Sequence, residues 1–395
     1  MISWSTAANC SRLEFHSQTA FSRKRRIIDK MTDLERGYSS PAIHSADTSI
    51  IGRSRYYTLD AMRGFAAICV VATHFQERYA PSAYLAVDFF FVLSGFIIAD
   101  IYGRRLSHGL PFQSFMKARI KRLYPLYLIG VLVGLTQIIL LTSWGLRVQS
   151  DIDLLVSTAT NTFFLPSPMY FLQAHPMQGM FPINGPAWSM FWELLVNIVF
   201  ALWLFRLPVR ALCGVAVVSA AFLVLVGANY GMLNIGWEWP SAVGGLPRVM
   251  FSFTAGVVIC RLFNGASAWR RGWAAMAPCL LLLICIAAPV PVALRPYYDL
   301  IFAIALAPLI VTLGLFLEMP AKAERLATWI GYISYPVYIL HRGVIGVFKP
   351  FAGSIGLNVP FAFLVLLGAV TCFAYMTARL VDRATAIHAR RAVSR

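Results

Sequence analysis

Three ionisable side chains fall inside one apolar stretch of this chain: Asp60, Arg63 and His74 lie within YTLDAMRGFAAICVVATHFQ, residues 57–76. On a helix, the eleven residues from Arg63 to His74 turn about 20° past three full turns, so the two share a face, with Asp60 about 60° to the other side. A rise of about 1.5 Å per residue sets Arg63 and His74 roughly 16 Å apart along it. Such a stripe reaches roughly half way through a bilayer. Ionisable groups in a membrane are costly and face the protein interior or a wet cavity, which makes the stripe a candidate site. An imidazole there can serve as a general base, and a guanidinium can hold an anion or polarise a carbonyl.

Other residues could join this chemistry. Asp88 stands near the start of LAVDFFFVLSGF, and the chain reverses within about ten residues of His74, so the two reach similar depth. Their pairing would orient the imidazole for base work or form a structural hydrogen bond between two helices; the residues leave both open. Gly95, seven positions on, lies on the face of Asp88 and permits close helix approach. In GPAWSMFWELLVN, Ser189, Glu193 and Asn197 recur every fourth residue as a polar ridge, with Glu193 neutral in lipid or charged if paired. In FMKARIKRLYPLY, Arg119 and Arg122 stand three apart. They suit phosphate as a pair of guanidinium forks, and equally suit anchoring at a basic membrane face. His341, in ISYPVYILHRGVI, reads as a packed histidine, and its replacement is expected to cost less than that of His74.

The elements that must position these residues are membrane helices. The 395 residues are 58% hydrophobic and 13% charged, with mean hydropathy +0.67, too apolar to clothe a water-soluble domain. Apolar runs near 57–76, 85–101, 123–142, 187–205, 211–228, 247–263, 273–290, 299–317, 326–347 and 358–378 predict an all-α polytopic bundle of about ten spans. The net charge of +17 follows topology rather than a nucleic-acid partner: 27 of the 34 Lys and Arg fall at one set of alternating ends and six at the other, which puts both termini in the cytoplasm. Residues 1–56 read as a disordered cytoplasmic tail with an Arg23-Lys24-Arg25-Arg26 cluster, 57–380 as the membrane domain and 381–395 as a basic cytoplasmic tail. The aromatic and proline-rich stretch 143–186 reads as an outer loop with interfacial or re-entrant pieces. The seven cysteines have neither metal-ligand nor disulfide spacing, and no metal is expected.

Five blocks, in order, carry a resemblance. YYTLDAMRGFAAICVVATHF, VDFFFVLSGFI, FMKARIKRLYPLY, the WSxxxE of Trp188 to Glu193, and ISYPVYILH are similar to the integral-membrane acyltransferase-3 family, and together they cover about 57–380. The resemblance implies an acyl-CoA donor, acetyl-CoA first among them, drawn from the cytoplasm, and transfer to a hydroxyl of a glycan, lipid-linked sugar or small molecule. It marks Arg63 and His74 as the essential pair and Arg119 and Arg122 as the arginine pair. Where the family often reads WSLSVEE, this chain has WSMFWEL, keeping Glu193 and replacing the next acid by Leu194.

These readings combine into a multi-pass O-acyltransferase of the cell's inner or plasma membrane. His74, Asp88, Arg63 and Glu193 are the catalytic candidates, with Arg119 and Arg122 on the donor's phosphates. Acyl-CoA, the acceptor and membrane lipids are the expected partners. The donor path is expected along the Asp60–Arg63–His74 stripe, with Ser94 and Gly95 giving room. The alternative is a secondary transporter or flippase, since intramembrane Arg, His, Asp and Glu also build proton relays and substrate sites.

Overall fold

Long apolar runs can satisfy their backbone in lipid only as helices, and helices make up nearly all of the fold. The computed structural model describes residues 55–147, 150–172, 178–263 and 270–393. The expected tail, apart from Arg55 and Tyr56, lies outside them. In chain order the helices are α1 (Tyr57–Phe75), α2 (Ala86–Ser107), α3 (Phe112–Ser143), α4 (Asp151–Thr162), α5 (Met169–Leu172), α6 (Ala187–Leu202), α7 (Val209–Tyr230), α8 (Gly245–Phe263), α9 (Met276–Ala287), α10 (Arg295–Ile301), α11 (Ala307–Phe316), α12 (Glu324–Ser354) and α13 (Val359–Val393). A π turn, Phe302–Leu306, joins α10 to α11. Each of the ten expected spans contains helix. Among the described residues, six helical stretches are long and apolar enough to cross a membrane: Ala83–Ser107, Phe112–Ser143, Val209–Tyr230, Trp239–Phe263, Val292–Phe316 and Val359–Ile387. Helix α13 continues as helix past residue 380 to Val393.

Burial sorts the helices into two roles. Helix α7 exposes Val217, Val218, Phe222 and Leu225, the pattern of a lipid-facing surface. Helices α1, α2 and α12 are clasped inside, which is where helices carrying ionisable residues have to go. Stretch 143–186 holds α4, whose polar Asp153, Ser157 and Asn161 face inward while Ile152 and Leu155 are exposed.

Glycines set the closest helix crossings. A Cβ at Gly64 would stand 1.7 Å from Ile330 Cγ2, and one at Gly331 would stand 2.6 Å from the Asp60 Cβ, so α1 and α12 meet backbone to backbone. Helices α2 and α8 cross likewise: a Cβ at Gly95 would lie 2.0 Å from the Phe253 carbonyl oxygen, and one at Gly256 lies 2.0 Å from that of Val92. Gly95 is therefore a packing residue between α2 and α8, and leaves no room there for a passing substrate. Gly95→Ala should separate the two helices and cost about 1–3 kcal/mol, as overpacking does. Thermal unfolding of the purified protein in micelles would show it, and an unchanged midpoint would refute the crossing.

One end of α1 is fastened from a distance. The two-residue strands β1 (Arg270–Arg271) and β2 (Leu317–Glu318) pair in parallel. They present the Glu318 carboxylate to the Thr58 N–H at 3.0 Å and the Leu317 carbonyl to the Thr58 hydroxyl at 2.7 Å. Glu318 thus does for the α1 N-terminus what a local capping side chain usually does. Burial pushes the Glu318 carboxyl above its ordinary range, while the N–H groups it accepts from pull the other way.

Candidate functional site

His74 lies at the C-terminal end of α1, and its neighbour is His341 of α12, with ring centroids 4.9 Å apart. The hydrogen bonds assign the protons. His341 Nδ1 faces the Tyr338 carbonyl at 2.7 Å and the Val337 carbonyl at 3.2 Å, so this nitrogen must carry a hydrogen. In the neutral ring His341 Nε2 is then an acceptor, and it stands 3.1 Å from His74 Nδ1. His74 Nδ1 also lies 2.8 Å from the Val70 carbonyl, so it is the donor to both. That leaves the lone pair of His74 on Nε2, which has no hydrogen-bond partner among the described residues. Fully buried His341 thus joins the Val70 carbonyl in orienting a half-buried imidazole as a base requires, a role beyond the packing expected of it.

Asp88 is placed elsewhere. Both of its carboxylate oxygens take hydrogen bonds from Arg248 of α8, at 3.2 Å from Nε and 2.6 Å from Nη2. The expected pairing of Asp88 with His74 is therefore replaced by a buried ion pair whose two side chains are each 0% exposed. A guanidinium in the interior needs a carboxylate more than a neutral imidazole does, and Arg248 also donates to the Ile235 carbonyl at 2.8 Å and lies over the Trp188 ring. Nothing in the one-dimensional pattern singles out Arg248, which stands among outer-loop basic residues by position.

Arg63 sits toward the other end of α1, fixed on α12. Its Nε donates to Ser334 Oγ at 2.9 Å, its Nη2 donates to the Gly331 carbonyl at 2.7 Å, and Asp60 lies 3.7 Å away, itself paired with Arg55 at 2.6 Å. Between Arg63 and His74 the same face carries Ala67, Val70 and Val71, all buried. The stripe is thus closed along its middle by packing, so a donor arm reaching from the Arg63 end to His74 would have to run off this face rather than along it. Its two polar ends are separate places.

Glu193 draws three helices together. Its Oε1 accepts from Ser94 of α2 at 2.7 Å and from Arg119 of α3 at 2.8 Å. Arg119 is only 5% exposed and committed to that carboxylate, which removes it from the mouth where it was expected to meet phosphate. A buried guanidinium without such a partner would be costly. Exposed Arg122 has no hydrogen bond or ion pair among the described residues, and lies within electrostatic range of Arg63, Arg119 and Tyr335. The other ridge residues part company: Ser189 meets the Tyr338 hydroxyl at 2.7 Å, while Asn197, fully buried, has no partner among the described residues for either amide atom.

The segment before α6 is a feature that sequence reading left vague. Gly134 of α3 lets the Ile183 carbonyl approach within 1.8 Å of where a Cβ would be, and Gly130 does the same for Asn184 Nδ2 at 2.4 Å. Asn161 holds this segment, accepting from the Ile183 N–H and donating to the Leu165 carbonyl. Asn184, 3% exposed, reaches α3 beside Ile339, two residues from His341, with its Nδ2 unpartnered. An oriented imidazole with a free lone pair, an unpartnered amide donor near its partner helix and an exposed arginine at a different end of the bundle suit proton transfer coupled to the binding of an anionic group.

Comparison with known proteins gives the family. The chain matches the family described as "Acyltransferase domain" over residues 56–379. It is 37% identical over 188 residues to "Protein 2 in picA locus" of Rhizobium radiobacter, a match covering 45% of this chain and 96% of that protein. It is 39% identical over 71 residues to "Putative peptidoglycan O-acetyltransferase YrhL" of Bacillus subtilis (strain 168), 17% of this chain and 11% of that one. It is 26% identical over 118 residues to "Putative O-acetyltransferase SACOL0978" of Staphylococcus aureus (strain COL), 29% of this chain and 20% of that one. The matches to the two named O-acetyltransferases thus span a small part of their length. No solved structure matches the chain. With a match running from Tyr56 to Arg379 across its apolar helices, the chain belongs to this acyltransferase family, as a multi-pass membrane enzyme that transfers groups other than aminoacyl groups.

Proposed function

We propose that the protein moves an acyl group, acetyl in the first instance, from cytoplasmic acyl-CoA to a hydroxyl of a glycan, lipid-linked sugar or small molecule presented at His74. The observation that carries this reading is the His74–His341 arrangement, which leaves the lone pair of His74 Nε2 without a partner among the described residues. His74 Nε2 takes the proton of the acceptor hydroxyl as its oxygen attacks the thioester carbonyl. The tetrahedral intermediate then collapses to the ester, the carbon–sulfur bond breaks, and the imidazolium returns the proton to the departing CoA thiolate. The donor's phosphates meet Arg122, and Arg63, held by Ser334 and the Gly331 carbonyl, keeps α1 and α12 in register at the donor side. This reading takes the charge asymmetry of the ends as topology, with about ten spans and both termini in the cytoplasm of a cell whose plasma or inner membrane holds the protein.

Membrane vesicles given radiolabelled acetyl-CoA should pass label to an acceptor, and movement of an unmodified substrate without label transfer would reject the reading. The two arginines should separate. Arg122→Lys keeps the charge and loses the bidentate fork, so the KM for acetyl-CoA should rise about three- to ten-fold with kcat little changed. Arg119→Lys should instead disturb the Glu193 lock and lower the amount of folded protein. A silent Arg122→Lys would make that residue a topological anchor.

A further inference from the structure

Helix α2 is buried from Ala86 to Ala99 except at Phe90, Ser94 and Ile97, and the half-exposed line resumes at Ile101. These four recur every third or fourth residue, so they form one row, about 16 Å long, on an otherwise enclosed helix. Its contacts place the row inside the bundle. At one end the Phe90 ring stands edge-on to Tyr338 of α12 at 5.7 Å, the Tyr338 and His341 rings are 6.1 Å apart, and His341 accepts from His74. In the middle, Ser94 donates to Glu193 of α6. The other end is the basic end of α2, where Arg104 and Arg105 stand.

Glu193 shows that the row borders open space. Its neighbours on the same face of α6, Ser189, Val196, Asn197 and Phe200, are at most 6% exposed, yet the Glu193 side chain is 21% exposed. Half-exposed Leu195 and exposed Leu202 lie on the opposite side of the helix, so lipid does not account for that accessibility. Ser94 and Arg119 both bond Oε1, and Oε2 has no partner among the described residues. An ionised carboxylate oxygen only accepts, so what it lacks inside the bundle is an N–H or O–H donor.

We propose that this row is the bed of the donor's pantetheine arm, with Glu193 Oε2 accepting the N–H of one of its two amides. This rests on the reading of the protein as an acyl-CoA-dependent transferase. The arm is a chain of carbons interrupted by two secondary amides. Phe90, Ile97 and Ile101 offer the carbons apolar contact, and Glu193 offers an amide its acceptor. Extended, the arm is about as long as the row, so an arm that enters at the basic end brings its thioester to Phe90, beside the histidine pair. The bed also supplies the route off the Arg63–His74 face that buried Ala67, Val70 and Val71 require. A lipid tail in the same place would leave Oε2 unpaired.

The test uses the full chain in phosphatidylcholine nanodiscs and reads displacement of radiolabelled CoA, which requires no acyl transfer. The competitors are CoA and two analogues, each methylated at one of the pantetheine amide nitrogens. One analogue should bind about ten-fold or more weakly than CoA, as loss of a hydrogen bond to a charged acceptor dictates. In Glu193→Gln, whose neutral amide is a weaker acceptor, that ratio should fall to about three-fold or less. Glu193 also holds Arg119, so a second pair of variants probes the bed without touching that ion pair. The thiol of Ile97→Cys should react with a small polar reagent and be protected by CoA, whereas that of Ile98→Cys, at a position 1% exposed, should not react. Mass spectrometry of the modified peptides separates both from the native cysteines. The proposal is overturned if both analogues bind as well as CoA, or if the ratio is unchanged in Glu193→Gln. An Ile97→Cys thiol that is unreactive, or that reacts alike with and without CoA, overturns it too. Labelled acetyl-CoA is supplied in a parallel run. Amide discrimination and protection with no label passed to any acceptor would keep the bed and reject the acyl-transfer reading. Label transfer with neither would keep that reading and place the arm elsewhere.

Discussion

His74→Ala should slow acyl transfer by about 10²–10⁴-fold, the usual worth of a positioned general base, with the KM for acyl-CoA nearly unchanged. The geometry extends that expectation to the partner ring. His341 Nε2 is, with the Val70 carbonyl, one of the two acceptors that keep the hydrogen of His74 on Nδ1 and the lone pair on Nε2. His341→Ala should therefore cost about ten-fold in kcat, since the Val70 carbonyl still holds the tautomer while the ring loses the neighbour that fixes its orientation. His341→Gln, whose side-chain oxygen can accept from His74 Nδ1, should recover part of it. Turnover with radiolabelled acetyl-CoA at matched protein abundance is the measurement. Near-complete activity in His74→Ala would remove the base from the mechanism, and full activity in His341→Ala would remove its orienting partner.

A second large effect is expected in stability. Asp88 and Arg248 are both fully buried and joined by two hydrogen bonds, so removing either partner strands a charge in the interior at a cost of about 3–5 kcal/mol. Asp88→Asn and Arg248→Met should each yield little folded protein. The double variant Asp88→Leu/Arg248→Met, which removes both charges, should fold better than either single one. Were Asp88 instead the orienter of His74, the double variant would be stable yet as inactive as His74→Ala. Fluorescence-detected size exclusion for folding and label transfer for activity separate the two cases.

The helices were legible because membrane spans announce themselves by uninterrupted apolarity, and the polar faces of α1 and α6 were legible because helical spacing is local. Which helix covers a polar face is not local. Arg119 and Glu193 are 74 residues apart, and Asp88 and Arg248 are 160 apart. The pairing of Asp88 with His74 rested on similar depth, which does not determine azimuth, and azimuth is set by the glycine crossings of α2 on α8 and α1 on α12. For the same reason the stripe from Arg63 to His74 was correctly assigned to one face and wrongly taken as open, because α12 lies along its middle.

The α1–α12 clasp has a consequence for how the enzyme is made. Arg63 of α1 finds its acceptor, the Gly331 carbonyl, 268 residues later in the chain. At ribosomal speeds of about 5–20 residues per second, α1 emerges roughly 15–50 seconds before the helix that shields its charge. During that interval Arg63, within a turn of the middle of α1, carries an insertion penalty of up to about 2.5–3.5 kcal/mol. The first helix is therefore expected to insert less firmly until α12 arrives. Nascent chains stopped before Ile330 should accordingly remain extractable and protease-sensitive at α1, whereas chains released after Ser354 should not.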